Sequence, residues 1–253
     1  MNYTLPNIPK REEKPRTSGQ TMVIDKGLSV SEAQNLADAA SNYIDYAKIG
    51  FGTALITQNL KEKLAVYTNA GITPYFGGTL FEIFIIRNKF DEFQRFLDTY
   101  NIGLTEVSDG SIELEHSVKL NYIKELKKNF TVISEVGSKK ADKVLTPEMW
   151  IDLIQKELEA GSIKVITEAR ESGTIGIFNQ DGSANKVLIE SIIKNIDIHN
   201  IMWEAPQKTQ QALFIQLLGE SVNLGNIATH EVIALEALRL GLRGDTFFQY
   251  LGK

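Results

Sequence analysis

Four glutamates sit at the ends of four successive short apolar runs: Leu104-Thr105-Glu106-Val107, Ile133-Ser134-Glu135-Val136, Ile166-Thr167-Glu168-Ala169 and Met202-Trp203-Glu204-Ala205. If these runs are parallel strands separated by helices, their carboxyl ends gather on one face, where α/β sheets and barrels keep their chemistry. Carboxylate oxygens are hard ligands of the kind that hold Mg²⁺, an ion that keeps several waters and takes an anionic substrate as a further ligand. Glu106, Glu135, Glu168 and Glu204 are therefore the candidate metal ligands, with Asp109 and Glu171 close by in sequence. The chemistry they suit is stabilisation of an enolate. The plain alternative is a ring of acids neutralised by lysine and arginine, since structural ion networks also gather such groups.

Cations follow the same pattern. Lys26 comes after the first apolar run, Lys48 lies in the second, and Lys139, Arg170 and Lys208 follow the fifth, sixth and seventh. Arginine grips a carboxylate or phosphate with two bonds, while lysine supplies a point charge or a proton whose pKa can be tuned. Glycine-bearing turns add backbone donors: Gly77-Gly78-Thr79 leads into a helix, Gly173 follows Arg170-Glu171-Ser172, and Gly225-Asn226 follows the eighth run. Such turns let amides approach an oxyanion, and a phosphate near the eighth strand fits barrel precedent. The candidate substrate contacts are Lys26, Lys48, Gly78, Thr79, Arg170, Lys208, Asn223 and Asn226.

The elements that must position these groups alternate. Strands are expected at 22–25, 46–50, 73–77, 104–108, 131–136, 164–169, 201–204 and 221–224, with amphipathic helical spacing at 31–42, 80–100, 117–129 and 147–160. Thr146-Pro147-Glu148 suits a helix start and Gly161 a helix stop. Eight βα units in 253 residues match a single (β/α)8 barrel, which needs roughly 250 residues. Residues 1–20 hold Pro6, Pro9 and Pro15 among charges and no period, which predicts an N-terminal extension before a barrel domain at 21–253.

Composition excludes several roles. A net charge of −5 argues against general attraction to nucleic acid or an anionic membrane. No apolar stretch nears the roughly 18 residues of a membrane span, and the start lacks a signal-peptide core, so a cytoplasmic location is expected. With no cysteine there is no thiolate nucleophile, disulfide or Cys-ligated metal. His116, His199 and His230 fall in expected helix or loop positions, which assigns them surface or capping roles. Neither a phosphate-loop motif, a complete dinucleotide fingerprint nor a nucleophile elbow is present.

Between Lys14 and Phe247 stand, in this order, Asp25-Lys26-Gly27-Leu28, Gly77-Gly78-Thr79-Leu80-Phe81-Glu82, Ser108-Asp109-Gly110-Ser111, Glu135-Val136-Gly137, Glu168-Ala169-Arg170-Glu171-Ser172-Gly173, Glu204-Ala205-Pro206-Gln207-Lys208, Val222-Asn223-Leu224 and Gly241-Leu242-Arg243-Gly244-Asp245-Thr246. In these words the chain resembles the phosphosulfolactate synthase family. The resemblance implies a trimeric (β/α)8 lyase that adds sulfite to phosphoenolpyruvate, with Mg²⁺ stabilising an enolate, to give (2R)-O-phospho-3-sulfolactate. It also implies Lys139 as the general acid, matching the family's lysine after Glu-Val-Gly, with Lys140 as the neighbouring alternative. Two other roles fit the same motifs: a non-catalytic stress-associated interaction protein, as among plant members, and another phosphoenolpyruvate-using lyase.

Overall fold

Strands buried along their whole length need cover on both faces, and parallel strands obtain it from crossover helices. In the computed structural model, which describes residues 2–137, 145–169 and 172–251, the strands are β1 Thr21–Asp25, β2 Tyr46–Ile49, β3 Thr73–Phe76, β4 Leu104–Val107, β5 Thr131–Val136, β6 Lys164–Thr167, β7 Ile201–Glu204 and β8 Leu224–Ala228. Each pairs in parallel with the next, and β8 returns to β1, closing an eight-stranded barrel. Around it, among the described residues, run α1 Val30–Ala40, α2 Leu60–Asn69, α3 Gly78–Ile85, α4 Phe90–Thr99, α5 His116–Leu126, α6 Pro147–Ala160, α7 Lys186–Asn195, α8 Lys208–Leu218 and α9 Val232–Arg239.

Local chemistry sets several boundaries. The Ser29 side chain and Glu32 form a reciprocal capping box that starts α1. Thr146 caps α6 through the amide of Met149, Pro147 occupies the first turn, and Gly161 ends the helix at φ 126°. The single helix expected at 80–100 is instead α3 and α4, because Asn88 turns left-handed between them. That break folds the segment back so that Phe81 and Phe84 pack on Phe93, and Phe84 also on Phe96. The eighth strand starts at Leu224, where the expected run at 221–224 ended.

Residues 8–20 lie against the amino-terminal end of the barrel. Arg11 Nε donates to Glu236 Oε1 at 3.0 Å, and the Gly19 amide donates to the Ser221 carbonyl at 2.7 Å. Arg16 pairs with Asp45 at 3.1 Å. From the other end of the chain, the buried Arg239 guanidinium donates to the carbonyls of Val222 at 2.7 Å and Gln20 at 3.3 Å. The segment thereby ties β1 to the chain entering β8.

Candidate active site

Lys48 brings the glutamates into one space. It stands on β2, yet its ammonium lies 3.0 Å from Glu106 Oε1 on β4, 3.5 Å from Glu135 Oε2 on β5 and 3.8 Å from Glu204 Oε1 on β7. None of those strands is a neighbour of β2, so the contacts cross the barrel interior. Glu135, Glu168 and Glu204 line a cavity of about 530 Å³ with Lys48, Thr79 and Asn226. Ile24, Phe51, Ser111 and Ser172 complete its described wall.

Burial opposes a charge on Lys48, but Glu106, Glu135 and Glu204 outweigh it and hold the ammonium well above its ordinary pKa. It stays charged at any working pH. Burial pushes the Glu106 carboxyl up; Lys48 pulls it back, Glu135 pushes it up again, and the balance is a raised value. The Tyr75 phenol, packed among these acids, is pushed up by burial first and then by Glu106.

Gly78 has a different task from the one its turn suggested. Its amide donates to Glu106 Oε1 at 2.7 Å, so it is committed to a carboxylate rather than held out to a substrate oxyanion. A Cβ there would stand 2.6 Å from both Glu106 Oε1 and the Ser108 Cβ, which is why only glycine admits the acid. Asn223 is a correction to the expected contacts. Because β8 begins at Leu224, Asn223 lies just before its amino-terminal end, accepting from the Gln20 amide at 3.0 Å and donating to the Ile201 carbonyl at 3.1 Å. Lys208, the first residue of α8, pairs with Asp245 at 2.8 Å and is not among the described residues of the cavity wall. Lys26 is exposed just past the carboxyl end of β1. Lys139, Lys140, Arg170 and Glu171 lie outside the described residues.

The groups that hold the site in shape are charges buried in the helix layer, which helical spacing alone reads as surface. Asp25 accepts the amides of Gly27 and Leu28 at 2.8 Å each on one oxygen. Its other oxygen takes Lys63 Nζ and the Tyr67 hydroxyl at 2.9 Å each, which fixes the turn carrying Lys26. Lys119 spends its three donors on the Glu135 carbonyl at 2.6 Å, Asp109 at 2.8 Å and Glu157 at 2.7 Å. β4 ends at Val107 opposite Ser134, so the Glu135 carbonyl lies one residue past that ladder and Lys119 supplies its donor. Asp109 is thus spent behind the wall, and His116 joins the same cluster 3.2 Å from Glu157. Glu82 accepts from the Ser108 hydroxyl and the Ser111 amide, placing Ser111 at the cavity.

The donor set fits Mg²⁺ held sparingly. Among the described residues no group of three or more acidic or histidine side chains is arranged as a metal cage. Mg²⁺ needs no such cage, since one or two carboxylates suffice when water and substrate fill the remaining positions. Glu135, Glu168 and Glu204 bring carboxylate oxygens to the cavity wall, the donor chemistry such an ion takes.

Residues 9–245 match the family described as ComA, (2R)-phospho-3-sulfolactate synthase. The chain is 43% identical to the phosphosulfolactate synthase of Bacillus subtilis over 98% of its own length and all of that protein's. It is 44% identical to the one of Methanocaldococcus jannaschii, covering 90% of this chain and 94% of the relative. The chain belongs to the phosphosulfolactate synthase family. It is therefore an enzyme of that type. The solved 3-hexulose-6-phosphate synthase of Salmonella typhimurium superposes with a TM-score of 0.54 at 13% identity, covering 88% of this chain and all of the other. A truncated 3-deoxy-D-arabino-heptulosonate 7-phosphate synthase of Thermotoga maritima reaches 0.56 at 8% identity, covering 86% of this chain and 83% of that one. At such identities these two share the barrel fold alone with this chain. Among the described residues no helix is long and apolar enough to cross a membrane.

Proposed function

We propose that the cavity adds sulfite to phosphoenolpyruvate, giving (2R)-O-phospho-3-sulfolactate. The observation that carries this reading is Lys48, a buried ammonium held charged among carboxylates at the floor of the cavity in a member of this family. The sulfur lone pair of sulfite bonds to the methylene carbon, the double-bond electrons move into the carboxylate, and a proton is then delivered to the carbon bearing phosphate. Lys48 opposes the charge that gathers on the carboxylate. Thr79 and Ser111 offer hydroxyls at the wall. Lys26 and Arg170 serve the anionic ends of the substrate, and Lys139 is the proton donor. Mg²⁺ would be held by water, substrate and acids drawn from Glu106, Glu135, Glu168 and Glu204, and would supply further positive charge for the same carboxylate. The working form in this reading is a cytoplasmic homotrimer.

The test is a turnover assay with phosphoenolpyruvate, sulfite and Mg²⁺, the product being identified by mass and phosphorus resonance. Turnover should need all three and stop on exhaustive chelation. Consumption of phosphoenolpyruvate without sulfite would assign another lyase reaction. A folded protein that consumes nothing under any of these conditions would leave the non-catalytic role. Light scattering checks the trimer.

A further inference from the structure

We propose that the Asn226 carboxamide donates to an oxyanion oxygen of the bound substrate, and that a bulge in β8 serves to aim it there. The inference rests on the proposed reaction and goes beyond it by assigning a reader of the substrate on strand eight.

The register carries the first step. Thr21 of β1 pairs with Leu224 of β8, and Val23 pairs with Ile227, so two steps along β1 span three along β8. The extra residue falls at Gly225-Asn226, and Asn226 takes a left-handed φ of 56°. Bulges of this kind bend a strand and re-aim a side chain, and they recur at barrel rims beside active sites. Left-handed backbone is unfavourable for a side-chain-bearing residue, although asparagine tolerates it better than most. The neighbours leave little alternative. A Cβ on Gly225 would stand 2.7 Å from the Met22 Cε and 3.0 Å from the Met202 Cγ, and the Asn226 amide turns to the Met22 Sδ at 3.4 Å. That amide is therefore not the phosphate donor suggested by reading Gly225-Asn226 as a turn after the strand.

The side chain carries the second step. Asn226 is 6% exposed and lines the cavity. Its side chain makes no hydrogen bond among the described residues, the bond to Met22 being made by its backbone amide. A side chain so enclosed, with no protein partner among the described residues and its carboxamide open to the cavity, has its donors available to a ligand there. The register sets Gly225 beside Glu204, which makes the surroundings acidic. An anionic substrate entering there needs donors that add no negative charge, and a carboxamide offers two N–H groups. Sulfite and phosphoenolpyruvate both present oxyanion oxygens, and the experiment separates them.

Asn226→Gly removes the carboxamide while adopting φ 56° without steric cost. Asn226→Asp keeps the shape but exchanges the donor for a carboxylate. Melting temperature, kcat and both KM values are measured for each variant, and sulfite and phosphoenolpyruvate are titrated separately onto the protein by calorimetry with Mg²⁺ present. Asn226→Gly should melt at or above the wild-type temperature while KM for one substrate rises about tenfold, the loss expected for one hydrogen bond to a charged group. The substrate whose KM moves is the one read. Asn226→Asp should lose more of the same affinity. Unchanged KM values and titrations in Asn226→Gly would make the bulge purely structural, and wild-type affinity in Asn226→Asp would rule out the donor role. A wild type that binds a ligand but turns nothing over overturns the reaction only, the titrations of Asn226→Gly then deciding this inference; a wild type that binds neither ligand overturns both.

Discussion

Gly78→Ala sets a helix-favouring change against a packing conflict, and the geometry decides the winner. Gly78 opens α3 without a left-handed φ, so alanine meets no backbone strain and gains roughly 1 kcal/mol of helix propensity. Against this, the new methyl would stand 2.6 Å from Glu106 Oε1 and from the Ser108 Cβ, and neither can stay in place. Forced overpacking costs about 1–3 kcal/mol. Pushing the carboxylate about 1 Å away breaks its bond from the Gly78 amide and forfeits roughly 1.5–3 kcal/mol. The net loss is about 1.5–5 kcal/mol, which at about 2–4 °C per kcal/mol for a chain of this size lowers the melting temperature by roughly 3–20 °C. Displacing Glu106 by about 1 Å should also cut turnover on the order of 100-fold. Gly103→Ala is the control, because no atom lies within 4 Å of its added Cβ and its φ is not left-handed; it should stay within about 0.5 kcal/mol of wild type. Thermal melts and sulfite-dependent turnover are measured on both. A Gly78→Ala protein that melts and turns over like wild type refutes the claim that this glycine makes room for Glu106.

Three further outcomes are expected. Lys139→Ala should abolish net addition while sparing the fold and most phosphoenolpyruvate affinity, and Lys139→Arg should not restore it because arginine does not give up its proton near neutrality; near-normal turnover in Lys139→Arg, or a selective loss in Lys140→Ala, would move the proton transfer elsewhere. Lys119→Met leaves Asp109 and Glu157 without their buried cation and should cost about 3–5 kcal/mol in denaturant unfolding, with Glu157→Gln in the same chain recovering part; a single variant as stable as wild type would sink that account. Burial raises the Glu106 pKa in the folded chain, so this group's contribution to stability is greatest at acid pH and is lost as pH rises from the ordinary glutamate range through the raised value. The melting temperature of Glu106→Gln relative to wild type should therefore climb as pH rises above the ordinary glutamate range, and a flat or falling difference would contradict the raised pKa.

The barrel and the shared face were legible because period and spacing encode them. Inward positions alternate along a strand, and four glutamates at equivalent strand ends cannot avoid one another once the sheet closes. The start and stop of α6 were legible for a similar reason, since Thr146, Pro147 and Gly161 act through their own backbones. Strand eight was misplaced because glycine followed by asparagine reads alike in a turn and in a bulge, and Asn223 was misassigned with it. Gly78 was read as an anion-binding turn because sequence does not reveal which acceptor reaches an amide first. Lys63 and Lys119 left no trace, since helical periodicity assigns lysine to water and only the packed structure supplies their buried acids. The first twenty residues lacked a period because their anchors are arginine and lysine bonds to distant carbonyls and carboxylates, such as Lys14 Nζ to the Ser41 carbonyl at 3.0 Å.

Those anchors also set a schedule for synthesis. A ribosome makes Arg11 and Gly19 first, yet their partners Glu236 and Ser221 lie more than two hundred residues downstream. Until the last strand and α9 emerge, β1 has an open edge, and Arg11 and Gly19 have nothing to grip, although Lys14 and Arg16 already meet Ser41 and Asp45. The seam between first and last strands is thus the final piece to close, and closing so long a loop adds an entropic cost that grows only slowly with length. A nascent chain stalled before residue 220 carries an unpaired β1 edge open to pairing with other strands, and release of the carboxyl-terminal residues turns that edge into a sealed wall.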